Sequence, residues 1–193
     1  MNNGDNHVVI RPHRPDIKEK LFFLISGIIV SVPITLFFGT FAERLCVVLP
    51  IFYATICAVV IFTPFIEEFA KAFPLFYRHG ETERSIFILG FLVGLGFGIS
   101  EFIVYILVLG APLIFRIPGI FFHAASASII AYGIAKKQPV IYYLLAVGLH
   151  FLNNFSALFD AGLIGFIIAN FAAYYLSFTF YNKTTERIID KNE

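Results

Sequence analysis

Six long stretches of this chain are almost free of charged residues, and polar segments separate them. The stretches are residues 21–42, 45–66, 85–115, 117–135, 138–159 and 161–181. Each reaches the roughly 17–25 residues that a helix needs to cross a bilayer. The only formal charge inside them is Glu101, in the third stretch. The pattern predicts an all-α fold, a polytopic transmembrane helix bundle of about six spanning helices.

The composition favours a membrane protein over a soluble one. Of the 193 residues, 59% are hydrophobic and 14% are charged, and the mean hydropathy is +0.83. A soluble globule with this sequence would need six core helices with almost no polar face. The net charge of +1 indicates no nucleic-acid partner. We therefore expect the lipid bilayer to be the protein's immediate partner.

The distribution of Lys and Arg predicts the orientation of the helices. A cytoplasmic polar tail at 1–20, followed by a transmembrane domain at 21–182, puts the second tail, 183–193, in the cytoplasm as well. Eleven basic residues then lie inside: Arg11, Arg14, Lys18, Lys20, Arg78, Arg84, Lys136, Lys137, Lys183, Arg187 and Lys191. Two lie outside, Arg44 and Arg116, while Lys71 is not assigned to a side. The positive-inside rule expects this asymmetry, so both termini are predicted to be cytoplasmic.

The two cysteines, Cys46 and Cys57, both fall in the second apolar stretch. On one continuous helix, their separation of eleven residues corresponds to about 16 Å at 1.5 Å per residue. A disulfide cannot bridge that distance. We therefore expect them to remain unbridged and to give no information on the redox compartment.

The second helix carries an unusual charged group. It is expected at about 51–77, with Pro64 as a natural break and Glu67, Glu68 and Lys71 following it. A charge at the centre of a bilayer costs about 2.5–3.5 kcal/mol even on lenient insertion scales. These side chains therefore need polar partners, water, or both.

The next three helices carry the polar groups that could serve as partners. In the third, glycines at 90, 94 and 98 form a face for close helix packing, and Glu101 continues it. The fourth carries His123. The fifth carries His150, with Asn153 and Asn154 one turn later on the same face; spacing alone does not decide between the two asparagines.

Such a set of groups could support peptide hydrolysis in two ways. A buried glutamate can take a proton from water and return it to a leaving amine, which is general acid–base catalysis. Alternatively, Glu67, Glu101, His123 and His150 could hold a zinc ion that activates the water. Asn154 could donate a hydrogen bond to the developing oxyanion. The residues leave the metal-free and the zinc-dependent forms equally open.

Each group also has a purely structural explanation. Lys71 could be a simple ion-pair partner of Glu67 or Glu68, which lie one helical turn away. Glu101 could be a packing carboxylate, and His123 could lie at the membrane interface. His150 and Asn154 could be interhelical hydrogen-bonding groups, worth about 0.6 kcal/mol on average. Their joint occurrence on four consecutive helices favours a site over these separate explanations.

The order of these motifs resembles the PrsW family of membrane-embedded proteases, which is similar to the CaaX prenyl endopeptidases and bacteriocin-processing membrane proteins. The resemblance is carried by Pro64-x-x-Glu67-Glu68-x-x-Lys71, by Gly94-Leu95-Gly96-Phe97-Gly98-x-x-Glu101, by His123 and by His150-x-x-x-Asn154. It covers roughly residues 60–155. One departure is Phe102, where the family often has Asn directly after the glutamate of the third helix.

The resemblance implies a role for each of these residues. Glu67 corresponds to the water-activating glutamate and Glu68 to its structural or ligand partner. Glu101 and His123 would complete the water or metal site, and His150 and Asn154 would stabilise the oxyanion. The family further implies an endopeptidase of a prokaryotic cell membrane that cleaves a membrane-anchored protein or peptide.

Two other classes of function remain open from the sequence. A proton-coupled transporter or carrier could use Glu101, His123 and His150 as a relay, although the sequence shows no inverted repeat and no paired broken helices. A non-catalytic membrane scaffold would need no accessible water cavity at these residues.

Overall fold

Six helices and no strands make up the described part of the chain. The computed structural model describes residues 13–77, 82–108, 110, 112–158 and 162–186. The helices are α1, Ile17–Cys46; α2, Ile51–Tyr77; α3, Glu83–Leu107; α4, Leu113–Ala135; α5, Pro139–Ser156; and α6, Gly162–Lys183. This arrangement confirms the predicted all-α transmembrane bundle.

Five of the six helices are long and apolar enough to cross a membrane, and α5 is the exception. The α5 helix has 18 residues, about 27 Å at 1.5 Å per residue, close to the thickness of the hydrocarbon core. Its polar residues His150, Asn153 and Asn154 lower its hydropathy. The residues that weaken its membrane signal are therefore among those predicted to form the site.

The first helix is longer than the apolar pattern predicts. It starts at Ile17 because Asp16 and Glu19 form a capping box, in which each side chain accepts a hydrogen bond from the other residue's backbone N–H. The helix then continues through Pro33 and ends at Cys46. The cap shows why the helix extends into the predicted polar tail.

The ends of the helices define two sides of the bundle. On one side, which we call the tail side, Arg14 lies 3.9 Å from Glu186, and Lys136 at the end of α4 pairs with Glu83 at the start of α3. The other side, called the opposite side, contains the end of α1 and the α3–α4 connection. Of the basic residues in the predicted charge count, 11, 78, 187 and 191 lie outside the described residues.

The glycines of α3 allow α4 to approach very closely, as predicted. A Cβ atom at Gly90 would overlap the side chain of Ala131, one at Gly94 would overlap the carbonyl oxygen of His123, and one at Gly98 would overlap Ile120. With the backbones this close, α3 and α4 form the buried centre of the bundle, and many apolar side chains of α1, α2 and α6 are exposed at its periphery.

The expectation that Cys46 and Cys57 remain unbridged is wrong. Their sulfur atoms form a disulfide, with the two Cα atoms 5.7 Å apart. The 16 Å estimate assumed one helix, but α1 ends at Cys46 and α2 starts only at Ile51. Because the chain reverses direction between them, Cys57 lies beside the end of α1. The disulfide joins α1 to α2 on the opposite side of the bundle.

On the tail side of the polar residues, the interior is apolar. Side chains of α2, α3 and α4 pack there into one buried cluster that includes Leu75, Ile86, Leu89, Ile130 and Ile134. The cluster separates the polar centre from the tail-side surface.

The close contact at Gly94 predicts a sharp effect of one methyl group. We expect Gly94→Ala to destabilise the protein by about 1–3 kcal/mol, because overpacking forces the backbones of α3 and α4 apart. The matched control is Gly148→Ala on α5, where nothing lies within 4 Å of the added Cβ. The control is expected to stabilise the helix by about 0.5–1 kcal/mol. Thermal unfolding in nonionic detergent, followed by helical circular dichroism, measures both; equal melting temperatures for the two variants would contradict the packing argument.

Candidate active site

Charged and polar side chains from four helices meet in the interior of the bundle. The helix α2 contributes three of them, and α3, α4 and α5 contribute the others. The residues are Glu67, Glu68, Lys71, Glu101, His123, Ser126 and His150. All are buried except Glu101, which is partly exposed. Five of the six residues predicted as catalytic therefore lie together; the sixth, Asn154, makes a different contact.

The α2 helix presents its charged residues after a change in helix type. Residues Ile56–Phe62 form a π-helix, and Thr63–Ala72 returns to an α-helix with Pro64 in its first turn. The predicted break at Pro64 is therefore a change in hydrogen-bond pattern, not an interruption of the helix. Such π-segments are frequent at functional sites.

Asn154 satisfies a backbone group that this change leaves free. In the π-pattern, the N–H of Thr63 pairs with the carbonyl of Ala58, five residues back. By the same spacing, the carbonyl of Val59 would accept from residue 64, but Pro64 has no N–H. The side-chain Nδ2 of Asn154 donates to the Val59 carbonyl at 3.0 Å. Asn154 thus attaches α5 to the π-segment.

Asn153 lies in a second hydrogen-bonded group, which a long contact of 3.5 Å from Asn153 Nδ2 to Asn154 Oδ1 joins to the first. Its Oδ1 accepts a hydrogen bond of 3.0 Å from Asn170 of α6. Tyr174 joins the same group, since its hydroxyl lies 3.1 Å from Asn170 and 2.8 Å from the carbonyl of Pro118. Asn153 therefore connects α5 to α6, whereas Asn154 connects α5 to α2.

Lys71 connects α2 to α4. Its ammonium donates to Glu68 Oε1 at 2.6 Å and to Ser126 Oγ at 2.9 Å, and it lies 3.0 Å from His123 Nδ1. The side chains of Lys71 and Glu68 are both completely buried. The ion pair suggested by the spacing is present, and the same ammonium also reaches a histidine and a serine on another helix. These contacts use all three N–H donors of Lys71.

The partners of the two histidines determine which ring nitrogen carries the proton. With Lys71 as an ammonium, His123 Nδ1 is an acceptor, so its Nε2 carries the proton and donates to Glu101 Oε2 at 2.6 Å. His150 has the reverse arrangement, because its Nδ1 faces the Glu68 carboxylate at 2.8 Å. The Nε2 lone pair of His150 is thereby directed toward Glu67, whose Oε2 lies 3.7 Å away.

Glu67 has the least satisfied carboxylate of the group. Its Oε2 is buried and has no hydrogen-bond partner among the described residues. Ligand atoms of Glu67, His123 and His150 lie within 4.8 Å of one another. A buried carboxylate oxygen without a partner, next to an imidazole nitrogen with a free lone pair, can receive a water molecule or a cation.

Several residues around the site carried little signal in the sequence. Ser126 lies one turn after His123 on the same helix face, which the spacing shows, but its contact with Lys71 has no sequence signature. Phe122 packs edge-on against His150, and Phe97 packs against His123, with ring centroids 5.5 and 5.0 Å apart. Aromatic residues are so frequent in this chain that these two could not be singled out.

Comparison with protein families identifies the chain. The family model described as "PrsW family intramembrane metalloprotease" matches residues 17–181, which include every helix that contributes to the site. The chain belongs to the PrsW family. No curated protein and no solved structure matches it. PrsW membership confirms the family resemblance expected from the motifs and supports an intramembrane protease.

The PrsW description implies a metal ion, and the residues of the site fit one. Glu67 Oε2 has no hydrogen-bond partner within the residues that the structure describes. His150 donates Nδ1–H to a carboxylate while its Nε2 stays open, as metal-binding histidines commonly do. His123 would have to give up the proton that its Nε2 shares with Glu101, since metal binding requires the free nitrogen.

The buried ion pair predicts a strong effect of losing Lys71. We expect Lys71→Met to destabilise the protein by about 3–5 kcal/mol, because the Glu68 charge stays buried without its counter-charge. The double variant Glu68→Gln/Lys71→Met removes both charges and should recover most of this loss. Melting temperatures in detergent measure both variants. A double variant no more stable than Lys71→Met would contradict the charge argument.

The two asparagines provide a matched pair of substitutions. Asn154→Asp replaces the donor to the Val59 carbonyl by an acceptor, so we expect a loss of about 1–3 kcal/mol from the unpaired carbonyl. Asn153→Asp keeps the oxygen that accepts from Asn170 and should cost less. Hydrogen–deuterium exchange at 56–64 should rise only in Asn154→Asp. Equal exchange in both variants would contradict the assignment.

Proposed function

We propose that the protein is an intramembrane endopeptidase in which Glu67 acts on the attacking water. The observation that carries this proposal is the buried Glu67 Oε2, which has no hydrogen-bond partner in the described part of the chain and lies 3.7 Å from His150 Nε2. A water molecule between these atoms could donate one hydrogen bond to each. The substrate we propose is a membrane-anchored protein or peptide.

Hydrolysis then requires one proton to move through Glu67. Glu67 accepts a proton as the water oxygen adds to the peptide carbonyl carbon, and it returns the proton to the amine nitrogen as the C–N bond breaks. His150 Nε2 lies beside this position as the second acceptor for the water, while the N–H groups of His150 and His123 are donated to Glu68 and Glu101. Glu68 and Lys71 do not contact the substrate in this scheme; they hold the two imidazoles in place.

If a metal ion is bound, Glu67, His123 and His150 are the residues that would hold it. A zinc ion supplies Lewis-acid polarisation of a carbonyl oxygen and activation of water. Glu101, bonded to His123 Nε2, would then accept the proton that this nitrogen releases. Glu68 would remain the partner that orients His150.

Two features support hydrolysis over the alternatives. A proton relay through Glu101, His123 and His150 would have to reach both sides of the membrane, whereas the buried apolar cluster containing Leu75 and Ile86 lies on the tail side of the site. Among the described residues, Glu67 Oε2 and Glu68 Oε2 are both buried without a hydrogen-bond partner, but Glu68 Oε1 is bonded to Lys71 and His150. A scaffold gains nothing from the buried Glu67 carboxylate, which costs stability.

We further propose that the tail side is cytoplasmic. The predicted excess of Lys and Arg on that side follows the positive-inside rule. The disulfide between Cys46 and Cys57 lies on the opposite side, and disulfides persist in oxidising compartments outside the cytoplasm. Glu101, the most exposed of the site's carboxylates, would then open toward the outer side of a prokaryotic cell membrane.

Glu67→Gln tests the proposal directly. We expect the rate at which synthetic single-span peptides are cleaved in detergent to fall by at least about 10²-fold, because the side-chain amide of Gln cannot accept the proton from water. The variant should retain the melting temperature of the parent protein. Glu83→Gln, which removes a carboxylate on the tail side, is the control and should keep its activity. Peptide cleavage by Glu67→Gln at the parent rate would exclude Glu67 as the general base.

Zinc content distinguishes the two roles that Glu67 can take. If Glu67 acts only as the base for water and is not a metal ligand, purified Glu67→Gln contains as much zinc as the parent protein. If Glu67 is a ligand, the variant loses zinc, as His150→Ala is expected to do in a metal-dependent enzyme. Metal analysis of freshly purified protein, with a chelator added during the cleavage assay, separates these outcomes.

A further inference from the structure

The exposure of the site residues shows where a substrate can enter. The side chains of Glu68, His123 and His150 are at most 4% exposed, and that of Glu67 is 8% exposed. The Glu101 side chain is 27% exposed. Entry to the site therefore lies beside Glu101, toward the opposite side of the bundle.

A positively charged residue lies next to this entrance. Tyr105 follows Glu101 by one helical turn on α3, and Arg116 stands near the start of α4. The guanidinium carbon of Arg116 lies 3.5 Å from the centroid of the Tyr105 ring. Stacking on an aromatic ring orients a guanidinium, and the same guanidinium also reaches the Tyr105 hydroxyl. Arginine has five N–H donors, enough to bind a substrate carboxylate as well.

Arg116 differs in its partners from two other cations of the bundle, Lys71 and Lys136. Lys71 is paired with Glu68, and Lys136 is paired with Glu83. Among the described residues, no carboxylate lies within ion-pair distance of Arg116. Partly buried charges near a membrane interior are usually paired or functional.

We propose that Arg116 binds an acidic residue of the substrate and thereby selects where the peptide is cleaved. This inference rests on the proposed protease function. One helical turn from Glu101 to Tyr105 is about 6 Å along α3, and an extended peptide covers about 3.3 Å per residue. The acidic residue therefore lies about two residues from the cleaved bond, toward the end of the substrate on the opposite side.

The charge of Glu101 restricts this preference to one place. A substrate carboxylate next to the cleaved bond is repelled by the Glu101 carboxylate. A substrate carboxylate about 6 Å further out binds Arg116 instead. Acidic residues should thus be favoured at the outer position and disfavoured directly at the cleaved bond. A general attraction of the protein for acidic peptides would not produce this difference.

The test uses synthetic peptides with one apolar span of about 20 residues, in which a single Asp or Lys is moved through the positions near one end. Cleavage in lipid-free nonionic detergent is measured by mass spectrometry. For the parent protein we expect about tenfold faster cleavage with Asp than with Lys at the outer position, the size of one charge-assisted contact. Arg116→Glu should reverse the preference, and Arg116→Gln should abolish it.

Arg44→Glu is the matched control, because Arg44 ends α1 on the same side and undergoes the same charge reversal away from the site. It should leave the cleavage pattern unchanged. If the parent protein and Arg116→Glu cleave the peptides with the same pattern, this inference is wrong, and the protease assignment stands. If Arg116→Glu instead loses only stimulation by phosphatidylglycerol vesicles, Arg116 is a lipid anchor and the inference is wrong. If no peptide is cleaved by the parent protein, both proposals fail.

Discussion

The arrangement of the site depends on the buried ammonium of Lys71. A charge in this environment is tolerated only with strong partners, and Lys71 meets the condition by directing its three donors at Glu68, His123 and Ser126. Because these groups come from two helices, the ammonium holds α2 and α4 at hydrogen-bonding distance. Glu68 in turn binds His150, and His123 binds Glu101. One cation thus connects all four helices of the site and orients both imidazoles.

The parts of the structure that follow local rules could be predicted from the sequence. Apolar stretches of sufficient length predicted the helices, and the glycine spacing predicted that another helix approaches α3 closely, which α4 does. The one-turn spacing predicted an ion pair of Lys71 with Glu67 or Glu68, and the structure shows the pair with Glu68. The contact between Lys71 and His123 joins residues 52 positions apart, and no spacing rule reaches that far. The order of polar residues along the chain suggested a cluster but could not give its hydrogen bonds.

The cysteine prediction failed because it placed Cys46 and Cys57 on one regular helix, and the predicted break at Pro64 takes the form of a change in helix type. The chain reverses direction between α1 and α2, which places Cys46 beside Cys57. Further along, the effect of Pro64 is absorbed by a π-segment, and the carbonyl that the proline leaves unpaired accepts from Asn154. The sequence shows the proline and the asparagine, but their relation appears only when α5 lies against α2. Asn154 therefore acquires a structural role in addition to its predicted catalytic one.

The balance of charge in the interior links the site to its chemistry. Three carboxylates, those of Glu67, Glu68 and Glu101, surround one ammonium and two imidazoles. With the imidazoles neutral, the cluster carries an excess of two negative charges, which a low-dielectric interior disfavours. A divalent cation, or protons bound by the carboxylate–imidazole pairs, would remove that excess negative charge. In both cases Glu67 is involved, because the charge of Glu68 is neutralised by Lys71 and Glu101 is hydrogen-bonded to His123. The residue with the least compensated charge is thus also the one that we propose acts on the attacking water.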